Sequence, residues 1–137
     1  MKKGEKMNLH SGIPITEYIH EAIRDFDNGC FTSSLLLCRR AYEGALVEAY
    51  KTKEKREPFA KIKCPHCKKI IRRKAYLGIR KLHKWAVSKG LIKDSLISFG
   101  FFLSKKDYAI TYGITTHLFV SQLISGAILL LKELNKR

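Results

Sequence analysis

The chain has 137 residues, with 27 Lys and Arg against 12 Asp and Glu, a net charge of +15. That length reads as one domain spanning 1–137, able to bury a core without disulfide or metal staples. The surplus charge draws polyanions such as nucleic acid or anionic membrane and opposes self-association at low salt. It is concentrated in residues 51–84, where fourteen Lys and Arg face Glu54 and Glu57, +12 of the total.

The opening stretch MKKGEKMNLHSGIPI never reaches an apolar run, so no secretory leader is expected. Cys30, Cys38, Cys64 and Cys67 are accordingly expected to be reduced, in a cytoplasmic setting. In 15–28 the apolar residues Ile15, Tyr18, Ile19, Ala22, Ile23 and Phe26 recur every three or four positions, which predicts an amphipathic helix stopped by Gly29. Thr32 is the expected N-cap of a second, longer helix with the stripe Leu35, Cys38, Tyr42, Ala45 or Leu46, and Ala49. It fades in KTKEKREP before Pro58. Residues 52–73 read as a charged insertion, in which Ile62 and the pair Ile70 and Ile71 on either side of the cysteines suit a small hairpin.

A third helix is expected over about 74–89, with Ala75, Ile79, Leu82 and Ala86 inward, Trp85 beside them and Gly90 as a left-handed cap. Asp94 or Ser95 starts a fourth helix through Leu96, Ile97, Phe99, Phe102 and Leu103. A hinge near Gly113 leads to the last helix, about 116–136, with Leu118, Phe119, Gln122, Leu123, Ala127, Leu130, Leu131 and Leu134 available for packing. Residues 108–131 carry no formal charge and are long enough to cross a bilayer. Thr111, Thr115, Thr116, His117, Ser121, Gln122 and Ser125 interrupt them, which favours a buried helix and no membrane span. The fold class is therefore all-α, a five-helix bundle with a small basic insertion between the second and third helices.

Within the insertion, KIKCPHCKKIIRRK sets Cys64 and Cys67 at C-x-x-C spacing, the bite with which a tight turn aims two thiolates at one zinc ion. No second pair follows to complete four ligands. His66 or His83 folding back, or the same turn of a second subunit, would complete them. Two other readings stand beside zinc: a bare exposed loop, and thiol redox chemistry. The pattern CPHC is that of disulfide oxidases, but no βαβ context flanks it and no proline lies downstream. Cys30 and Cys38 read as small buried apolar residues.

The stretch SSLLLCRRAYEGALVEAY, then LGIRKLHKWAVSKGLI and a long apolar last helix, resembles the HEPN-like superfamily, in its bacterial and archaeal branch of unknown function. Arg39, Arg40, Ala41, Tyr42, Glu43, Ala45 and Leu46 carry the likeness, with Leu82, Gly90, Leu91 and Ile92. The resemblance implies a four- or five-helix domain, commonly a homodimer, whose active members cut RNA with an Arg and a His separated by four to six residues. The Arg binds phosphate and the His serves proton transfer or positions the 2′-hydroxyl. No histidine of this chain has an Arg at that distance before it. The corresponding region reads KKDYAITYG, with five residues between Lys106 and Tyr112, and a tyrosine of ordinary pKa near 10 is a poor base at neutral pH.

The expected function is therefore non-catalytic binding of nucleic acid, RNA before DNA. The phosphate contacts fall to Lys61, Lys63, Lys68, Lys69, Arg72, Arg73, Lys74, Arg80, Lys81 and Lys84, with Phe59, Tyr76 and Trp85 as stacking surfaces. One alternative is a ribonuclease or toxin-like enzyme with a degenerate site at Lys106, Tyr112 or His117. Another is a dimeric interaction module, with Ser121, Ser125, Gly126 and Ala127 letting helices approach closely.

Overall fold

The computed structural model describes residues 14–104 and 117–135. Five α-helices lie among them: α1 Ile15–Asp27, α2 Phe31–Glu54, α3 Ile79–Ser88, α4 Ile97–Ser104 and α5 His117–Asn135, with a 3-10 turn, Asp94–Leu96, leading into α4. The chain is of the all-α class. One antiparallel hairpin, β1 Phe59–Lys63 and β2 Ile70–Tyr76, stands between α2 and α3.

Glycine stops two of the helices in the same way. Gly29 (φ 79°) and Gly90 (φ 68°) are left-handed, a conformation only glycine takes without strain. In each case the next amide reaches back five residues, Cys30 N–H to Asp25 O at 2.7 Å and Leu91 N–H to Ala86 O at 3.0 Å. These are Schellman closures, which satisfy carbonyls that a helix end leaves open. Leu91 and Ile92 then enter the core. The start of α2 differs from expectation: Cys30 holds the N-cap position, exposed, and Thr32 is already in the first turn. Ser34 instead fixes this corner, donating to Ala22 O across α1 at 2.7 Å while fully buried.

Helix α2 packs against each of the other four helices. A helix enclosed in this way buries residues around most of its circumference, here Leu35, Cys38, Ala41, Tyr42, Ala45, Leu46, Val47 and Tyr50. Ile15, Ile19 and Ala22 of α1, Leu82 and Ala86 of α3, and Leu103 of α4 meet it as the periodicity predicts. On α5 the inward face is turned from the one expected. Val120 and Ile124 join Leu123, Ala127, Leu130 and Leu134 in the core, whereas Leu118 is 68% exposed and Gln122 faces outward.

Of the small residues of α5, Gly126 and Ala127 serve the interior of this one chain, while Ser121 is half-buried and Ser125 exposed. A Cβ placed on Gly126 would lie 2.3 Å from ring atoms of Phe99, so glycine there is what lets α4 come this close. Ala127 is fully buried beside it. No helix among the described residues is long and apolar enough to cross a membrane.

The third helix begins five residues later than its apolar spacing suggests, because 70–76 is strand. Lys74 and Ala75 lie in β2 instead of opening α3, Ala75 standing opposite Ala60. The register runs Phe59 with Tyr76, Ala60 with Ala75, Ile62 with Arg72 and Lys63 with Ile70, so β2 accommodates extra residues at two irregularities. Such bulges bend a strand and strengthen its twist. Among the described residues the strands make their contacts chiefly with each other, so the hairpin projects from the helices described.

Candidate nucleic-acid interface and cysteine turn

The hairpin turn is built on CPHCKK. Cys64 N–H donates to Lys69 O at 2.8 Å, Lys68 N–H donates to Cys64 O at 3.0 Å, and Lys68 is left-handed at φ 62°. These bonds curl 64–69 tightly enough that backbone N–H groups of Cys67 and His66, and then the Cys67 thiol, donate to the Cys64 sulfur. That donation holds the Cys64 thiol below its usual range, since hydrogen bonds to the charged form favour it. Cys64 is half-buried and Cys67 exposed, and neither is in a disulfide.

The lysines of the turn, Lys63, Lys68 and Lys69, are exposed. So are Arg80, Lys81 and Lys84, on the face of α3 opposite Ile79, Leu82 and Ala86. Lys61 lies on β1 and Arg72, Arg73 and Lys74 on β2, which places all ten expected phosphate contacts on the hairpin or on the helix that follows it after two residues.

The neighbouring carboxylates are already committed. Glu57 meets Lys51 at 3.7 Å, Glu48 meets the same ammonium at 3.7 Å, and Glu54 meets Lys89 at 3.4 Å. Glu54 also accepts the Trp85 indole N–H at 2.9 Å; this bond first, and Lys89 after it, hold the carboxyl below its usual range. Among the described residues, Lys63, Lys68, Lys69, Arg80, Lys81 and Lys84 take part in no ion pair. The charge of these six side chains is therefore not neutralised by any described residue.

Two of the expected stacking residues, Trp85 and Phe59, are less available than expected, and the Tyr76 side chain lies outside what is described. Trp85 is half-buried, its ring 4.9 Å from Tyr50 and its N–H held by Glu54, so it anchors α3 on α2. Phe59 is half-buried at the base of the hairpin. Arg56 lies over the Tyr50 ring at 5.3 Å, extending the same cluster.

His83 does not fold back onto the cysteines. It is 6% exposed in the core, where its Nδ1 and the Tyr42 hydroxyl share a 2.7 Å hydrogen bond, and burial holds its pKa below the usual histidine range. His66 is exposed within the turn itself. Among the described residues no three His, Cys, Asp or Glu side chains converge to hold a metal. Cys38 is buried as expected, its thiol pushed up to about 12 by desolvation, whereas Cys30 is exposed at the α1–α2 corner, contrary to expectation. Lys106 and Tyr112 lie outside the described residues, and His117 opens α5.

One feature was not singled out from the sequence. Tyr18, Leu36, Leu37, Arg39, Arg40 and Glu43 line an open groove of about 530 Å³ on the α1–α2 surface. Arg39, Arg40 and Glu43 thus face this groove, while Ala41, Tyr42, Ala45 and Leu46 of the same motif are core. Leu36, at 45% exposure, was the available signal: a large apolar residue out of phase with the buried stripe.

No family model matches this chain, and no curated protein or solved structure matches it.

Proposed function

We propose that this chain is a non-catalytic nucleic-acid-binding domain, HEPN-like in its helical arrangement, that engages phosphates through the projecting hairpin and the outer face of α3. One observation carries the reading: six exposed cations, Lys63, Lys68, Lys69, Arg80, Lys81 and Lys84, lie on contiguous elements without an ion-pair partner among the described residues. A solvated charged loop would ordinarily mix signs and pair them, as Lys51, Lys89 and their glutamates do. Unpaired cations keep their field for a polyanion, whose condensed counterions are released on binding.

Single-stranded RNA is the favoured ligand. A narrow hairpin can follow a flexible backbone, and a surface rich in cations with its aromatic residues half-buried reads phosphates before bases. The domain holds RNA without cutting it, because the spaced Arg and His that cleavage requires are missing from the sequence.

The test is a salt titration of binding to unstructured RNA. Six contacts give a log–log slope of about −4 on a single strand and about −5 on duplex DNA. Replacing Lys63, Lys68 and Lys69 by Ala removes about half of that slope. A flat salt response, or no binding to RNA or DNA at low salt, refutes the proposal. Loss of intact RNA during the titration, abolished by Lys106→Ala or His117→Ala, would establish the enzyme instead.

A further inference from the structure

We propose that Cys64 and Cys67 are half of a tetrathiolate zinc site completed by the same turn of a second copy of this chain. The inference stands independently of nucleic-acid binding. Its first support is the shape of the turn. The Cys64 N–H to Lys69 O closure, the Lys68 N–H to Cys64 O bond and a left-handed residue just after the second cysteine hold Cys64 and Cys67 within one tight loop. A bare loop of six polar residues has no need of such order, whereas a ligand pair must be held in place before the ion arrives.

The second support is what the fold withholds. A closed zinc site takes four ligands in a tetrahedron. The nearby acids Glu54 and Glu57 are bound to Lys89 and Lys51, and His83 is locked in the core against Tyr42. No third ligand joins the pair among the described residues. The pair sits at the tip of a hairpin whose contacts, among the described residues, are chiefly between its own strands, with Cys67 exposed and Cys64 half-buried. A two-fold axis through the ion repeats an identical pair and closes the site with no new residue type.

Charge points the same way. Binding one Zn²⁺ to four thiols releases four protons and leaves a centre of net charge −2. Each turn surrounds that centre with Lys63, Lys68 and Lys69, which offset it. Without the metal centre the two basic tips repel one another. Association is therefore zinc-dependent, and moderate salt strengthens it by screening the residual repulsion.

The experiment is native mass spectrometry with size-exclusion light scattering on the full chain, using Zn²⁺ alone as the probe. The expected result is one zinc per dimer, with monomer restored by a chelator. The Cys64→Ser/Cys67→Ser variant keeps its helical circular dichroism and thermal midpoint but binds no zinc and stays monomeric. Replacement by Co²⁺ gives the tetrahedral visible bands of a thiolate-rich site. One zinc per monomer, a dimer indifferent to chelator, zinc retained by the double variant, or no zinc taken up by the reduced protein would each overturn the proposal.

Discussion

Gly100, inside α4, has no room for a side chain. A Cβ there would stand 2.6 Å from His83 Cε1, 2.8 Å from His83 Nδ1 and 2.8 Å from the Tyr42 hydroxyl oxygen. Both neighbours are buried and joined by their 2.7 Å hydrogen bond. Gly100→Ala therefore sets two effects against each other. Alanine in a helix interior gains about 1 kcal/mol over glycine. Overpacking costs about 1–3 kcal/mol, and parting Tyr42 from His83 leaves buried polar groups unsatisfied at roughly 1–3 kcal/mol. The clash wins, for a net loss of about 2–3 kcal/mol. Urea unfolding followed by circular dichroism should show a lower midpoint at unchanged slope. Gly78→Ala is the control: its Cβ would meet nothing within 4 Å and its φ is −70°, so stability should stay within about 0.5 kcal/mol. Tyr42→Phe removes the hydroxyl that the new methyl strikes, so the double variant Gly100→Ala/Tyr42→Phe should lose less than the two singles combined. A Gly100→Ala protein as stable as the wild type, or strictly additive losses, would refute this account of the contact.

Three further outcomes follow from the same geometry. Burial lowers the His83 pKa, so near pH 6.5 the unfolded chain takes up a proton that the folded chain still refuses. Stability is complete above about pH 6.5 and falls as the pH drops below it, and His83→Gln should flatten that fall; parallel curves for variant and wild type would count against it. Thiol labelling of chelator-treated native protein should modify Cys30, Cys64 and Cys67 rapidly and Cys38 only on unfolding, read by mass spectrometry; early modification of Cys38 would contradict its burial. Trp85→Phe keeps the ring contact with Tyr50 but removes the donor to Glu54, and should cost about 1 kcal/mol in urea unfolding.

The sequence is most legible where burial is one-sided and ends are marked by chemistry. Ile15, Ile19 and Ala22 follow from spacing alone, and Gly29 and Gly90 mark two helix ends because few other residues can hold a positive φ there. On α5 the pattern is ambiguous, since apolar residues run around most of the helix and spacing cannot decide that Val120 is buried while Leu118 is exposed. The start of α3 is misread for a related reason: Ala75 and Tyr76 suit either element, and only pairing with Ala60 and Phe59 makes them strand. At the candidate interface, charge and position can be read from the sequence, but pairing cannot. That Glu54 and Glu57 turn toward Lys89 and Lys51 and not toward Lys63, Lys68, Lys69, Arg80, Lys81 or Lys84 depends on side-chain directions that spacing does not encode.

The hairpin is asked to do two things, and their salt dependences run in opposite directions. Phosphate binding weakens as salt rises because counterions compete for Lys63, Lys68, Lys69, Arg80, Lys81 and Lys84. Zinc-bridged pairing strengthens with salt because the two basic tips cease to repel. The ion would also join two cationic surfaces at their tips, so an RNA long enough to reach both meets twice the number of cations at high effective concentration. Twelve contacts in place of six would steepen the single-strand slope from about −4 to about −8. A short RNA that covers one copy would keep the shallower slope whether or not zinc is present. Steepening that requires both zinc and RNA length therefore tests the two proposals together, while binding of the short RNA and zinc stoichiometry test each alone. If long RNA gives the same slope with and without zinc, the two functions of the hairpin are uncoupled even where each exists.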